Sequence, residues 1–329
     1  MAGYKTIRSA ILGALALMTC LSVSTHAHAQ AYPAKPVRLV VGFAPGGGTD
    51  IIARLLAQKL SMSLGQQFVV ENRAGATGMI GAKHVATSPA DGYTLLMGHV
   101  NSQAIAPALM DKPLYDPVKD FAPITYIGYV PNVLVVNPAL PAKSVAELIA
   151  LAKSRPQGLS FASPGVGSTN HLAGEMLKLD SGAPLVHVPY KGSAPAIVDL
   201  LGGQVDMNFD AMSSSIQYLK ANRMRALAVT TPQRDPDLPD VPTMSELGFK
   251  SFAVTNWYGI VAPANTPAPI IEKLHGELAK TLQMADVSRQ LTELGVRREH
   301  MSPDQFAQFI RSEDAKYRDI AKRTGVRVE

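Results

Sequence analysis

The sequence predicts an α/β protein of two lobes, each a mainly parallel sheet with flanking helices, joined by two crossing segments. Three observations lead there. Short apolar runs alternate with stretches whose apolar residues recur at helical spacing, the pattern of strands linked by crossover helices. After residue 137 the rhythm starts again, so the second half of the chain repeats the first. The composition agrees: of 329 residues, 47% are hydrophobic, 6% aromatic and 17% charged, a length of about two ~150-residue domains.

The first 29 residues follow a targeting pattern. Lys5 and Arg8 precede an apolar stretch over residues 10–21, and Ala27-His28-Ala29 places small residues at the cleavage positions, so a secretory signal peptide cut after Ala29 is expected. A membrane anchor would need roughly 18–20 apolar residues. Lipid attachment at Cys20 would call for Gly or Ala where Thr19 stands. Removing the segment takes away the single Cys and leaves 29 Lys+Arg against 26 Asp+Glu, so the formal charge falls from +5 to +3. A cysteine-free mature protein has no thiol nucleophile, disulfide or Cys-ligated metal. Without a Lys/Arg cluster it has no phosphate-tracking stripe, so nucleic acid is not an expected partner.

Residues 37–43 form an apolar run interrupted only by Arg38, as in strands buried on both faces. The run ends in Ala44-Pro45-Gly46-Gly47-Gly48-Thr49-Asp50, after which Ile51, Ile52, Leu55, Leu56 and Leu60 mark a helix with Thr49 or Asp50 as N-cap. A strand over 67–71, a Gly-rich turn and helix over 75–86 and a strand over 93–98 follow. Two apolar runs, 124–128 and 132–137, carry the first crossing. The second set comprises helices at 144–153 (Ser144 as N-cap, Glu147 at the capping-box position), 170–179, 194–201 and 214–221, with strands at 159–162, 185–188, 205–209 and 225–230. Residues 232–242 hold four prolines and three aspartates, hence a surface loop. An extended stretch over 252–261 crosses back, and helices over 269–282, 285–294 and 303–324 pack on the first lobe. The expected division is 30–128 plus 256–329 for lobe 1 and 129–255 for lobe 2.

Two segments in opposite lobes share one construction. Phe43-Ala44-Pro45-Gly46-Gly47-Gly48-Thr49-Asp50 and Ser163-Pro164-Gly165-Val166-Gly167-Ser168-Thr169-Asn170-His171 each follow a strand, shed side-chain bulk and open a helix with a hydroxyl residue. Exposed N–H groups at a helix start, with the positive end of the helix dipole, make an anion site. The alternative is a pair of tight turns in which Gly serves only backbone geometry. Candidate ligand-binding residues are Phe43, Ala44, Gly46, Gly47, Gly48, Thr49 and Asp50 on the first loop and Ser163, Gly165, Gly167, Ser168, Thr169 and His171 on the second. Asn101, Tyr190 and Asp210, which follow other strands, complete the set. Trp257 and Tyr258, in the second crossing, are read as packing residues, with ligand stacking as the alternative, and His84, His99 and His187 as packing or cleft-wall residues.

Enzyme motifs are incomplete. Gly165-Val166-Gly167-Ser168-Thr169-Asn170 puts Asn where a dinucleotide fingerprint needs Gly or Ala, and there is no nucleophile elbow, H-E-x-x-H or Walker lysine. A hydrolase using Ser168 and His171 is the rival from another class. His171 and Glu175 stand four apart on one helix face, half a metal site at most. No catalytic residue, cofactor or metal is expected.

At these residues the sequence resembles the tripartite tricarboxylate transporter receptor family, the Bug or TctC-like extracytoplasmic solute-binding proteins. The resemblance covers essentially the whole mature chain. It is carried by Pro45-Gly46-Gly47-Gly48-Thr49-Asp50, Val70-Glu71-Asn72-Arg73-Ala74-Gly75, Ala90-Asp91-Gly92-Tyr93-Thr94-Leu95, Gly165-Val166-Gly167-Ser168-Thr169-Asn170-His171, Val188-Pro189-Tyr190-Lys191-Gly192 and Trp257-Tyr258-Gly259, in that order. It implies a type II periplasmic binding-protein fold that closes on a small carboxylate held by the two glycine loops, and delivery to membrane permease subunits. A periplasmic monomer is expected. Gly48 departs from the family's usual loop. The same features leave room for a sensor that presents its closed form to a signalling receptor.

Overall fold

The computed structural model describes residues 32–250 and 252–328. The signal segment and Cys20 lie outside them. Val37, Leu39, Val40 and Val41 are fully buried, as a strand covered on both faces requires, and form β1 (Val37–Val41). The chain continues through α1 (Gly48–Leu64), β2 (Phe68–Asn72), α2 (Met79–Ala86) and β3 (Thr94–His99), with β1 between its parallel partners β2 and β3. A π-helical turn over Asn101–Ile105 then runs into a short α3 (Ala106–Leu109). This segment was not expected to be helical. Ser102, Gln103, Ala104, Ile105, Ala106, Pro107 and Leu109 are all buried, so no polar face leaves a periodic trace in the sequence.

β4 (Phe121–Val136) unites in one 16-residue strand what the sequence presents as two apolar runs. The second set follows: α4 (Val145–Ser154), β5 (Leu159–Ser163), α5 (Thr169–Ser181), β6 (Leu185–Pro189), α6 (Ser193–Leu201), β7 (Met207–Ala211), α7 (Met212–Lys220) and β8 (Arg225–Val229). Ser144 caps α4 through the Glu147 N–H, and Glu147 reaches back to the Lys143 N–H, one residue before the cap. β5 lies between parallel β6 and β7, repeating the arrangement of β1 between β2 and β3. β9 (Thr255–Pro263) precedes α8 (Ala268–Gln283), α9 (Ala285–Glu293) and α10 (Pro303–Thr324).

The strand order is β2-β1-β3-β9-β4-β7-β5-β6, with β8 also on β4. Each parallel trio therefore meets an antiparallel strand on one side, β9 beside β3 and β4 beside β7. β4 links the two half-sheets: Phe121–Pro131 pairs with β9, whereas Asn132–Val136 pairs with β7. Beside this crossing, Tyr129 forms a two-way backbone bridge with Arg297 (2.9 and 2.7 Å), whose guanidinium grips buried Asp235 of the Pro-rich loop at 2.8 and 3.0 Å. Trp257 is fully buried and donates its indole N–H to Glu313 Oε2 at 2.8 Å, fastening β9 to α10. Among the described residues, no helix is long and apolar enough to cross a membrane.

Gly174, inside α5, tests how tightly the second half-sheet is packed. A Cβ there would lie 2.2 Å from Phe161 Cε2 on β5. Alanine in a helix gains about 1 kcal/mol over glycine, but forcing atoms into a packed core costs about 1–3 kcal/mol. Because Phe161 is itself fully buried, the clash should win. We expect Gly174→Ala to lower the urea midpoint, and an unchanged or raised midpoint would show that the helix can move away.

Candidate functional site

Five of the six strands in the two trios end at one cleft of about 290 Å³, at the lower end of the ~300–1,000 Å³ typical of small-molecule sites. β1 delivers Gly48, β3 Asn101, β5 the Ser168-Thr169-Asn170 turn, β6 Ser193, and β7 Ala211, Ser213 and Ser214; Val130, Asn256 and Tyr258 come from the crossing strands. Four helices, α1, α5, α6 and α7, begin there. Their N-caps are Gly47, Ser168, Gly192 and Ala211, and only Ser168 caps through its side chain, taking the His171 N–H at 3.2 Å. The remaining first-turn N–H groups have no intrahelical acceptors, and four helix dipoles present their positive ends. Among the described residues, no Lys, Arg, Asp or Glu lines the cleft. An anion placed there would meet backbone and hydroxyl donors.

A buried polar network holds these starts in place. Asn256 donates to Asn132 Oδ1 at 2.7 Å, Thr169 Oγ1 donates to Asn256 Oδ1 at 3.0 Å, and Asn170 donates to Asn208 Oδ1 at 3.3 Å. Asn208 in turn donates to Asp210 Oδ1 at 3.4 Å, and Ser215 of α7 to Asp210 Oδ2 at 2.7 Å. The crossing strands β4 and β9 are thereby tied to the starts of α5 and α7. Burial pushes Asp210 up to about 6, with Ser215 opposing. Leaving any of these buried groups unpaired would cost about 1–3 kcal/mol.

Of the candidates named from the sequence, Gly48, Asn101, Ser168 and Thr169 line the cleft. The others are placed elsewhere. Asp50 is buried and supports the first loop: Oδ2 accepts from Gly46 N and Arg54 Nε, both at 2.9 Å, and Oδ1 accepts from Asn72 at 2.8 Å. The Arg54 bond chiefly holds its carboxyl down at about 2. Ala44, Gly46 and Gly47 are exposed in that loop, and Thr49 is buried in the first turn of α1. Phe43 packs edge-on to His99, which packs against Tyr258. Tyr190 donates to Asp199 Oδ2 at 2.6 Å, and Asp210 is wholly buried beneath the cleft. A Cβ on Gly167 would meet Val328 Cγ1 at 3.0 Å, so that glycine makes room for the end of the chain.

Ser163, Gly165, Gly167 and His171 form the underside of the second loop. Gly167 N–H donates to His171 Nδ1 at 3.1 Å, Gly165 N–H donates to Ser163 Oγ at 3.1 Å, and Ser163 Oγ lies 2.6 Å from His187 Nε2. The two imidazoles stack at 3.8 Å. Desolvation pushes both down to about 4, helped at His171 by His187 and Lys178 and at His187 by Lys178. Ser168 does not face the His171 ring: its Oγ donates to Gly165 O at 2.7 Å, which removes the nucleophile–base pair a hydrolase needs. Ser163 is sealed from solvent. Among the described residues no group of three or more His, Cys, Asp or Glu is placed to hold a metal.

Sequence reasoning missed Ser193, Ser213, Ser214 and Asn256, and favoured packing over ligand contact for Tyr258. Gly192-Ser193 and the hydroxyl run Ser213-Ser214-Ser215 after a strand carry the same helix-start signal as the two loops. Period-two alternation separates the aromatic pair: Trp257 faces the core, while Asn256 and Tyr258 face the cleft.

The tripartite tricarboxylate transporter family receptor, TctC, matches residues 52–326. Protein BugT of Bordetella pertussis is 40% identical over 302 residues, 92% of this chain and 93% of that protein. Among solved structures, Rpa4515 of R. palustris with adipate is similar at 39% identity and TM-score 0.78, covering 90% of this chain and 99% of that one. Periplasmic binding protein BugD is similar at 37% and 0.76, covering 91% and 100%. The matched family is one of receptors, not of enzymes.

The stacked histidines generate a pH dependence. Unfolded, both imidazoles titrate near 6.5; folded, they stay neutral down to about 4. Their contribution to stability is complete above about 6.5 and is lost as pH falls toward 4, because only the unfolded chain binds the extra protons in that window. Asp210, raised to about 6, acts oppositely between about 4 and 6. We therefore expect His187→Gln to be less destabilised than the parent on going from pH 7 to pH 4.5 in urea unfolding. An identical loss in both would show that the pair does not titrate in this way.

Proposed function

The chain belongs to the tripartite tricarboxylate transporter receptor family, and from that premise we propose that it captures a small organic carboxylate between two lobes and delivers it to a membrane permease. The observation that carries this reading is the convergence of four helix N-termini on one cleft without a charged side chain. A carboxylate there takes backbone N–H and hydroxyl donors. At roughly 1.5–3 kcal/mol for each charge-assisted bond, four or five of them, less ordering costs, reach the ~8 kcal/mol of micromolar binding.

Lobes spanning 30–128 plus 256–329 and 129–255 give closure a simple basis. The first supplies Gly48, Asn101 and Tyr258; the second supplies Ser168, Ser193 and Ser214. A ligand touching both favours the arrangement that brings them together, by as much as its affinity differs between open and closed states. Export by the amino-terminal signal would place this in the periplasm, where the permease is reached from outside. The periplasmic character of the similar protein BugD supports that location.

Thermal shift against mono-, di-, tri- and aromatic carboxylates tests the reading, since a ligand of the folded state raises the melting temperature. At least one carboxylate should do so. A shift by a sugar or cationic amine with none by any acid would overturn the proposal. Gly48→Leu provides a geometric check. Gly48 lies in the first turn of α1, and a Cβ there meets only Tyr258 Oη at 3.8 Å, so the longer side chain would enter the cleft. Affinity should fall at least tenfold with the unliganded melting temperature nearly unchanged.

A further inference from the structure

We infer that the protein has a second ligand site, for a small organic ammonium ion, in the cavity behind its two crossing strands, and that an ion held there tightens binding in the cleft. The site is independent of the carboxylate reading; the coupling rests on it. The cavity holds about 360 Å³, more than the cleft itself. β4 and β9 separate the two. Val130 and Asn256, opposite each other in the register, line the cleft, whereas Tyr129, opposite Trp257, lines the cavity together with Thr255. Successive strand residues point to opposite faces, so the two spaces lie back to back across one ribbon.

Aromatic rings form one wall of the cavity. Tyr126, Tyr129 and Phe309 line it, with Phe309 edge-on to Tyr126 at 5.2 Å, and a cation over such faces is attracted by the ring quadrupole. The charged lining settles the sign of the ligand. Both Glu313 oxygens are taken, Oε2 by the Trp257 indole N–H at 2.8 Å and Oε1 by Lys316, whose ammonium also donates to Ala253 O at 2.7 Å. Arg298 Nη1 is drawn away to Leu282 O, near the end of α8, at 2.7 Å. Glu299 is exposed and, among the described residues, has no hydrogen-bond or ion-pair partner; nor do the Tyr126 and Tyr129 hydroxyls. Burial and then Glu299 push both hydroxyls up in pKa, with Glu313 adding at Tyr126 and Asp235 at Tyr129, where Arg297 opposes. The open positions are thus one carboxylate and two hydroxyls in a negative field beside aromatic faces. They suit an ammonium group.

The cavity is also placed to sense the angle between the halves. Pro232, Gln233 and Ala253 come from the proposed second lobe, and Phe309, Glu313 and Lys316 from the first. With the pivot in the ribbon between them, opening the cleft in front narrows the cavity behind. A molecule held in the cavity resists that opening, and by linkage each ligand strengthens the binding of the other.

The probe is phenethylammonium, with 3-phenylpropionate and 2-phenylethanol as its anionic and neutral counterparts. Calorimetry reads affinity, and Trp257, the only tryptophan in the sequence and 5.5 Å from Phe309 between ring centroids, reports occupancy by its fluorescence. The ammonium should change that fluorescence and bind about tenfold or more tighter than either counterpart. Glu299→Gln should weaken it about fivefold or more, the effect of one lost ion pair, with the unliganded melting temperature unchanged. No ammonium binding, tighter binding of a counterpart, a silent Trp257 or an affinity unmoved by Glu299→Gln would overturn the site. An acid found by the thermal-shift screen should bind about threefold or more tighter when the ammonium is saturating, and Glu299→Gln should remove that gain without changing acid binding alone. Acid binding unchanged or weakened by the bound ammonium would overturn the coupling and leave the carboxylate reading intact. Binding of no acid would overturn that reading and the coupling with it, while the ammonium titration still decides the site.

Discussion

An α-helix that begins where a strand ends leaves its first N–H groups without acceptors, and burying them unpaired is costly. Here α1, α5, α6 and α7 begin at a single cleft. Much else in the molecule answers to that constraint. Asp50 secures the loop before α1, the stacked imidazoles secure the loop before α5, and the Asn132–Asn256–Thr169 cluster ties the start of α5 to the strands that cross between the half-sheets. Each support satisfies its own hydrogen bonds while leaving the first-turn donors free.

The crossing strands complete the arrangement. β4 serves both half-sheets without interruption, and Asn132 begins the part that pairs with β7. The polar network thus starts where one half-sheet gives way to the other. A change in the angle between halves would act on Asn132 and Asn256, and through Thr169 on the helix start that lines the cleft. Arg297, bonded by its backbone to Tyr129 and by its side chain to Asp235, supplies a second tie beside the same crossing.

Much of this was legible before any coordinates. Buried strands such as β1 announce themselves by nearly continuous apolar runs, and Gly46-Gly47-Gly48 and Gly165-Val166-Gly167-Ser168 mark helix starts by losing side-chain bulk. The division of labour within the loops was not legible. Asp50 and His171 are the residue types expected to touch a ligand, yet each is occupied by backbone N–H groups of its own loop, a local bond that depends on φ and ψ rather than on residue type. Ser193 and Ser214 escaped notice because a serine at a helix start usually caps, and nothing in the chain says which starts will converge. The helical segment from Asn101 to Leu109 escaped because it is buried nearly all round, which erases the amphipathic signal.

The uncharged lining has a consequence for how such a site changes over generations. Where a receptor grips its ligand with an arginine, one codon change abolishes recognition. In the site proposed here, negative charge would be held by main-chain amides, which every residue except proline supplies. Substitutions at Ser193, Ser213, Ser214 or Asn101 can reshape which acid fits without erasing the affinity for acids as a class. The scaffold is therefore evolvable: a duplicated copy could drift to a new substrate through functional intermediates.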